Sequence, residues 1–271
     1  PPLRLRSSRS LAASAALVLG ALAGPVASVG AQQWDAARDF SGANNPNGVW
    51  SYGHSSATTS TAGSTVGPAA LSLYAFRRTG SLNPDNFPNW YFGPSAGSLA
   101  CGDGNPGIFQ PTRALTGNVV ASAGELLAHP GCSAQTAFSV VRFTAPSTGF
   151  TPGSYTVNAT FRGADAGTRD VFLVWNGMHL LNTQQSPGQQ LVGRGASTSF
   201  FDTFTLASGD VLDLIVGPAG VYNSDNTAVN LTITSVTNAA VIPEPSTYVL
   251  LATGLGALGV VARRKRRTVT A

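Results

Sequence analysis

The strictest constraint on the fold is a run of alternating apolar and polar residues in the second half of the chain. Between Tyr155 and Phe161 every odd-numbered position is apolar, and every even-numbered position is Thr or Asn. Because successive side chains of a strand point to opposite faces, this pattern predicts a half-buried antiparallel strand. No segment between the two chain ends keeps a helical period.

Further strands are predicted on both sides of this one, at a spacing of about 8 to 12 residues and with turn residues between them. Val171 to Trp175 is apolar throughout and should be buried on both faces, and Asn176-Gly177 predicts a tight hairpin into His179 to Leu181. The other predicted strands are 138–143, 200–206, 211–216 and 229–235. The pattern predicts an all-β fold, an antiparallel β-sandwich of jelly-roll type.

The first half has weaker periodicity. A strand is predicted at Val49 to Tyr52, a loop at Ser55 to Ser64, and a strand at Ala69 to Arg78 with its leucines on one face. Asn83 to Pro111 is rich in Pro, Gly and Asn, and we expect a long irregular segment there.

Three unlike parts follow one another at the C-terminal end. The sequence Pro243, Glu244, Pro245, Ser246, Thr247 precedes an apolar run at 248–262 and the basic block Arg263, Arg264, Lys265, Arg266, Arg267. The run is shorter than the roughly 20 residues of a typical spanning helix, but flanking cations can snorkel, so we expect a single transmembrane helix with the basic block on the cytoplasmic side. A buried soluble helix is disfavoured, because glycines weaken it and five adjacent cations need water. A simple membrane anchor is the other alternative.

This order of parts resembles the PEP-CTERM sorting signal of exported bacterial proteins. The resemblance covers residues 242–271, with 243–247 as the motif and 263–267 as the basic end. It implies recognition by an exosortase, a membrane cysteine peptidase that cuts near the motif, and therefore a membrane-anchored precursor that reaches the cell surface or the extracellular space.

The N-terminal end has the plan of a secretory signal peptide. Three arginines (Arg4, Arg6, Arg9) precede the apolar stretch 11–23, and Val29-Gly30-Ala31 offers small residues to a signal peptidase. Residues 1–31 are thus predicted to be a signal peptide and 32–241 an extracytoplasmic β-sandwich domain. An N-terminal membrane anchor is the alternative.

Charge outside these two ends argues against a nucleic-acid partner. The chain has 16 Lys and Arg and 12 Asp and Glu, but eight of the cations lie in the leader and the tail. The domain between them has a net charge near −3 and no lysine, and its arginines are scattered. A nucleic-acid-binding surface would need a basic patch.

Cys101 and Cys132 are the two cysteines of the chain. In an exported protein they are predicted to form a disulfide, which would close a loop of about 30 residues and stabilise the fold by roughly 3 to 4 kcal/mol. Two buried free thiols are the alternative.

No catalytic residue is assigned from the sequence. The three histidines (His54, His129, His179) are far apart and have no metal-ligand spacing, Gly53 to Ala57 lacks the setting of a nucleophile elbow, and no carboxylate pair stands out. No metal or other cofactor is predicted. Structural calcium remains an option at two oxygen-rich segments, Asp103 to Asn105 and Asn223 to Asn226.

Aromatic residues beside Gly, Asn and Pro offer a binding hypothesis. Trp50, Tyr52, Trp90 and Tyr91 could stack on a sugar if their rings were exposed, or else fill the core of the sandwich. Trp175, inside an apolar strand, is predicted to be core.

The domain also resembles one that often precedes this sorting signal in extracellular β-rich proteins without established activity. The resembling segments are 48–52, 129–131, 140–146, 153–155, 176–177, 206–210 and 214–217. The sequence therefore favours an exported, non-enzymatic surface or matrix protein with exosortase and signal peptidase as processing partners. A carbohydrate-binding module, with extracellular polysaccharide as partner, is the alternative, and a secreted hydrolase built on His129 or His179 is a third.

Overall fold

The structure is a computed structural model, which describes residues 31–55, 71–79, 85–93, 106–132, 138–181, 189–219, 222–236, 251–256 and 258. Residues 31–236 form one compact unit. The described part of this unit is built of strands and turns. Its strands, in chain order, are β1 (Gln33–Asp35), β2 (Trp50–Ser55), β3 (Ser72–Leu73), β4 (Asn89–Tyr91), β5 (Gly107–Phe109), β6 (Leu115–Thr116), β7 (Val120–Ala121), β8 (Leu126–His129), β9 (Phe138–Thr144), β10 (Gly153–Gly163), β11 (Thr168–Trp175), β12 (Met178–His179), β13 (Gln189–Val192), β14 (Ser197–Leu206), β15 (Val211–Gly217) and β16 (Thr227–Ser235).

The strands form two seven-stranded sheets, and all their pairings are antiparallel. Sheet I has the order β14-β10-β16-β8-β5-β4, with β1 beside β16, and sheet II has the order β12-β11-β15-β9-β2-β3, with β13 beside β11. The short hairpin of β6 and β7 forms a third, two-stranded sheet.

The strand order is that of a jelly roll. From β8 to β11 and again from β14 to β16, each connection leaves one sheet for the other, so that β8, β16, β10 and β14 lie side by side in sheet I. Their counterparts β9, β15, β11 and β12 lie side by side in sheet II. The predicted all-β class, the β-sandwich and the jelly-roll type are confirmed.

One apolar core holds the two sheets together. It combines inward side chains of sheet I, such as Val157 and Leu231, with inward side chains of sheet II, such as Leu173 and Leu214, all of them at most 1% exposed. Burying each of these side chains contributes roughly 1.5 to 3 kcal/mol relative to leaving it in water. Sheet-on-sheet packing is thus the main source of stability in this unit.

Strand β10 shows the predicted alternation along its length. Residues 155, 157, 159 and 161 are at most 1% exposed, while Asn158 and Thr160 face solvent. In β11 the apolar residues divide between two clusters: Val171 and Leu173 belong to the main core, and Phe172 and Val174 join a second cluster on the opposite face of sheet II. Burial on both faces is confirmed for residues 171–174.

The predicted hairpin between β11 and β12 is also present. Asn176 and Gly177 have φ angles of 47° and 83°, the left-handed values that a two-residue type I′ turn requires. The side chain of Asn176 additionally accepts a hydrogen bond from Val211 N–H at 2.8 Å and donates one to the Asp210 carboxylate at 2.9 Å. This turn therefore also supports the neighbouring turn before β15.

Two expectations for the first half are corrected. Among the described residues, the strand predicted over 69–78 is reduced to β3, in which Leu73 is exposed. Tyr74 enters the main core, while Leu71 packs against the second cluster on the opposite face of sheet II. The segment 83–111, expected to be irregular, contains β4 and β5, which extend sheet I at one edge. Short edge strands bury few side chains, so periodicity gives them little signal.

The second unit consists of residues 1–30 and 237–271. Its described part is a short helix at 251–256 and residue 258, with the Leu251, Leu255 and Leu258 side chains more than 60% exposed. Among the described residues, no helix is both long and apolar enough to span a membrane. The predicted signal peptide (apart from Ala31), the motif 243–247 and the basic block 263–267 lie outside the described residues, as do the remaining positions of the predicted transmembrane helix.

Candidate functional site: an outer-face groove and a buried loop-end cluster

The outer face of sheet I presents regular rows of short polar side chains. Three adjacent strands at one edge of sheet I bring one row together, because Thr160 on β10 is in register with Ser199 on the edge strand β14 and with Asn230 on β16. Two residues further along, the same register aligns Asn158 with Phe201 and Thr232, and then Thr156 with Thr203 and Thr234. Neighbouring strands lie about 4.8 Å apart, so each row offers hydrogen-bonding groups at a fixed spacing.

A shallow groove follows the first of these rows. Its volume is about 310 Å³, and we call it the hydroxyl groove; its polar lining comprises Glu125, Thr160, Arg162, Ser197, Thr198, Ser199 and Asn230. Arg162 and Glu125 pair at one end, with 2.6 Å between Nη2 and Oε2. The groove thus combines hydroxyl and amide groups with one half-exposed ion pair.

Phe201 is a large, exposed apolar residue on this face. Its side chain is 72% exposed, and it lies in the row next to the groove, with Asn158 and Thr232 as cross-strand neighbours. An exposed ring beside a row of hydroxyl groups can pack against the apolar face of a polar ligand.

The outer face of sheet I is covered at one side of the groove. There the β6–β7 hairpin packs on the sheet, and Ala121, Leu127, Ala164 and Ala228 form a separate small apolar cluster. This cluster fixes β8 and β16 behind the groove.

A second polar site lies at one end of the sandwich, where the connections β10–β11, β13–β14 and β15–β16 meet. Main-chain hydrogen bonds tie them together: Gly167 N–H donates to Ser224 O at 2.8 Å and Gly193 N–H donates to Gly167 O at 3.0 Å. Beneath them lie Asp165, Arg169 and Asp225, which are 3%, 0% and 0% exposed. We call these three residues the loop-end cluster.

The two carboxylates of this cluster differ in their hydrogen bonds. One oxygen of Asp165 accepts hydrogen bonds from Asn226 N–H at 3.1 Å and from its side-chain amide at 2.8 Å, and the other accepts one from Arg169 at 3.4 Å. The two carboxylate oxygens of Asp225 are buried, and no described residue donates a hydrogen bond to them. Burial, opposed by the nearby Arg169, raises the pKa of Asp225 to about 8.

The aromatic residues predicted to stack on a ligand do not form an open surface. Trp50 and Tyr52 are at most 1% exposed and Trp90 is 8% exposed, because they fill the core between the sheets. Tyr91 is half-buried, and the Arg78 guanidinium lies over its ring at 3.9 Å from the centroid. For Trp50, Tyr52 and Trp90 the stacking hypothesis is wrong.

Trp175 is less buried than the sequence predicts. It is half-buried at the end of β11, and its ring lies 5.1 Å from that of Phe204. Trp175 therefore packs at the rim of the core rather than inside it.

The three histidines are placed separately. His54 packs against the rings of Tyr74 and Phe92, and His179 packs edge-on against Phe172. His129 Nδ1 bonds to the Pro130 carbonyl at 2.7 Å, and burial lowers the pKa of its imidazole.

Metal and disulfide expectations are tested only in part. In the part of the chain that the structure describes, no three or more His, Cys, Asp or Glu side chains group to hold a metal ion. Asp103 to Asn105 and Cys101 lie outside that part, so the disulfide to Cys132 stays a prediction. The segment Asn223 to Asn226 is described and contributes Asp225 to the loop-end cluster.

Neither site was predicted residue by residue from the sequence, apart from the oxygen-rich loop at 223–226. The available signal was the set of polar positions on predicted half-buried strands, such as Thr160 and Asn230, which must face outward. These positions come together because strands that are distant in sequence pair in a particular register. Alternation within one strand does not predict that register.

Comparison with known proteins supports the targeting prediction. Residues 241–267 match the PEP-CTERM protein-sorting motif. The chain therefore carries a PEP-CTERM signal behind a β-rich domain, and the motif indicates an exported, membrane-anchored precursor that an exosortase processes. No curated protein matches the chain.

Three solved structures illustrate the similarity of the domain. CBM35 from Paenibacillus barcinonensis has 17% identity and a TM-score of 0.27, with 45% of this chain and 86% of that chain covered. A family 35 carbohydrate binding module from Clostridium thermocellum has 12% identity and a TM-score of 0.26, with 45% and 84% covered. Carbohydrate-Binding Module CBM36, in complex with calcium and xylotriose, has 17% identity and a TM-score of 0.25, with 44% and 87% covered. Similarity at this level carries no argument about ligand or activity.

Proposed function

We propose that this protein is exported through its PEP-CTERM signal to the cell surface or the extracellular matrix, where the jelly-roll domain has a structural or interaction role without catalysis. The observation that carries the proposal is the match of residues 241–267 to the sorting motif. The exposed leucines of the helix at 251–256 support it, since such side chains favour an apolar environment.

Replacing Pro243 and Pro245 by alanine tests the sorting step. We expect the double variant to accumulate as an uncut, mislocalised precursor, which immunoblots of cell fractions would detect. Pro152→Ala, at an exposed position immediately before β10, is the matched control and should be processed normally. A product of unchanged size and location in the Pro243/Pro245 variant would contradict the proposal.

The placement of the histidines supports a non-catalytic role. A hydrolase of the Ser-His-Asp type needs a histidine hydrogen-bonded to both a nucleophile and an acid. His129 instead bonds the adjacent main-chain carbonyl, and His179 packs against a phenylalanine ring.

We also propose a more specific role, the binding of an extended polar polymer such as extracellular polysaccharide in the hydroxyl groove. The observation that favours it is the in-register row Thr160, Ser199 and Asn230 at the base of a groove open to solvent, with Phe201 beside it. Sugar hydroxyl groups both donate and accept hydrogen bonds, as do Ser, Thr and Asn side chains. This version of the carbohydrate-binding hypothesis replaces the one based on Trp50, Tyr52 and Trp90.

A further inference from the structure

The loop-end cluster contains one negative charge that protein groups do not balance. Asp225 is 0% exposed, and neither of its carboxylate oxygens has a hydrogen-bond partner among the residues that the structure describes. A buried ionised carboxylate without a partner loses its hydration and gains no interaction in return, which destabilises the folded state. Such a group requires a neutralising partner.

Arg169 is engaged elsewhere through its two terminal nitrogens, while its Nε is buried and has no hydrogen-bond partner among the described residues. Its Nη2 donates to the Asp165 carboxylate at 3.4 Å and to the carbonyl oxygens of Asp165, Gly167 and Ser224, and its Nη1 donates to Gly193 O at 3.3 Å. The guanidinium thus ties the three loops together and lies between two carboxylates. With Asp165 and Asp225 both ionised, the cluster keeps a net charge of −1.

Other oxygens converge on the same place. A Cβ added to Gly167 would collide at once with Asp225 Oδ1, Ser224 O and Asn223 O, the last at 2.7 Å. Three acceptor oxygens therefore crowd around one small region, and two of them have no donor among the described hydrogen bonds. The side of this group of oxygens next to Gly167 is filled by its main chain, so a cation bound to them would lie beside Gly167.

We propose that the β15–β16 loop forms a calcium-binding site in which the Asp225 carboxylate and the carbonyl oxygens of Asn223 and Ser224 are ligands. Calcium fits because every candidate ligand is oxygen, and Ca²⁺ accepts carboxylates, main-chain carbonyls and water in irregular arrangements. Mg²⁺ demands near-ideal octahedral geometry, and Zn²⁺ prefers nitrogen and sulfur ligands. The proposed site uses one carboxylate and main-chain carbonyl oxygens. It is therefore compatible with the finding that no three His, Cys, Asp or Glu side chains of the described residues group to hold a metal ion.

Protonation of Asp225 is the competing solution, because a proton would also remove the charge. The two solutions differ in their response to calcium. If Asp225 is protonated, calcium does not bind and the Tm does not depend on calcium concentration. If Asp225 is a calcium ligand, the Tm rises with calcium concentration.

The test uses the full chain in mild detergent at pH 9. Thermal unfolding is followed in EDTA, in 5 mM CaCl₂ and in 5 mM MgCl₂, and calorimetric titration with CaCl₂ gives the stoichiometry. With a Kd of about 10⁻⁴ M, in the range of extracellular calcium modules, 5 mM calcium would favour the folded state about 50-fold and raise the Tm by several degrees. One calcium ion per chain is expected, with a much smaller effect of magnesium.

Asp225→Asn is the diagnostic variant, since it removes the charge and keeps the shape. It should fold in EDTA at least as well as the parent protein and lose the calcium response. Asp202→Asn, at an exposed position of β14, is the matched control and should keep the response. Absence of calcium binding to the parent protein would overturn the proposal whatever the variants do, and so would a full calcium response in Asp225→Asn.

Discussion

Arg142 and Asp213 face each other across strands β9 and β15 and form a two-pronged ion pair. Nε lies 2.7 Å from Oδ1 and Nη2 lies 2.8 Å from Oδ2, and the two side chains are 10% and 2% exposed. Burial raises the pKa of Asp213, and the hydrogen bonds from Arg142 oppose that shift. This pair holds the charge of Asp213 inside a sheet whose neighbouring positions are apolar.

Removing one member of this pair should destabilise the fold strongly. Arg142→Met would leave the Asp213 carboxylate buried without its partner, and we expect the free energy of unfolding to fall by about 3 to 5 kcal/mol. Chemical denaturation of the parent and variant proteins would measure this difference.

A double variant provides the internal check on this prediction. Arg142→Met combined with Asp213→Leu removes both charges and should be more stable than Arg142→Met alone. Arg113→Ala, which breaks an exposed ion pair with Asp85, should cost less than about 1 kcal/mol. A loss in Arg142→Met no greater than that in Arg113→Ala would show that the buried pair has no special role.

His129 predicts a dependence of stability on mildly acidic pH. Burial lowers the pKa of its imidazole, while Asp165 opposes this effect and the charges of Arg78 and Arg169 add to it. Below a pH of about 6.5 the unfolded chain protonates this residue and the folded chain does not, so unfolding takes up a proton and stability falls as the pH drops. The slope from this one group is at most about 1.4 kcal/mol per pH unit.

The effect of His129 is isolated by difference, because buried carboxylates titrate as well. Denaturation midpoints of the parent protein and of His129→Gln are compared between pH 5 and 7.5. The difference in unfolding free energy between the parent protein and His129→Gln should narrow as the pH falls, and it should reach its full value above pH 6.5. A gap that does not change with pH would mean that His129 titrates in the folded protein as it does in the unfolded one.

The sequence predicted the jelly-roll half of the molecule well, because its strands are long and half-buried. In β10 the inward residues could be assigned from alternation, and in the β11–β12 hairpin Asn176 and Gly177 marked the turn through their tolerance of positive φ. Both signals are local, so distance along the chain does not weaken them.

The signals failed where structure depends on contacts between distant segments. Trp90 lies in a segment rich in Pro, Gly and Asn that suggests a loop, yet β4 carries it into the core. Trp50 lies in a predicted strand, but only the packing of the two sheets shows that its side chain faces the core. Asp225 belongs to a segment that the sequence marks only as oxygen-rich, and only the packing of Gly167 against it shows that its carboxylate is enclosed. Burial of a loop residue is set by the other loops that cover it.

Trp90 should therefore act as a core residue in mutagenesis. It is 8% exposed, and its Nε1–H donates to Ser41 O at 2.6 Å, so Trp90→Ala is expected to cost about 3 to 5 kcal/mol of unfolding free energy. Phe201→Ala, at a position 72% exposed, should change stability by less than about 0.5 kcal/mol. Equal stability of the two variants by denaturation would contradict the assignment of Trp90 to the core.

The hydroxyl groove leads to the prediction that bears most directly on function. If an extracellular polysaccharide binds along Thr160, Ser199 and Asn230, the double variant Thr160→Ala/Ser199→Ala loses two hydrogen bonds worth about 0.5 to 1.5 kcal/mol each, so affinity should fall by about tenfold. Thr156→Ala/Thr203→Ala is the matched control: it removes an in-register pair from the same two strands and the same face, outside the groove.

Glycan-array screening of the full chain identifies a ligand, and titration of that ligand into the three proteins compares their affinities. Because all four positions are on the outer face, neither variant should disturb the core, and a loss of affinity confined to the first pair would locate binding in the groove. An equal loss in both variants would place the ligand elsewhere on the face, and the absence of any glycan ligand would leave the domain with its structural role alone.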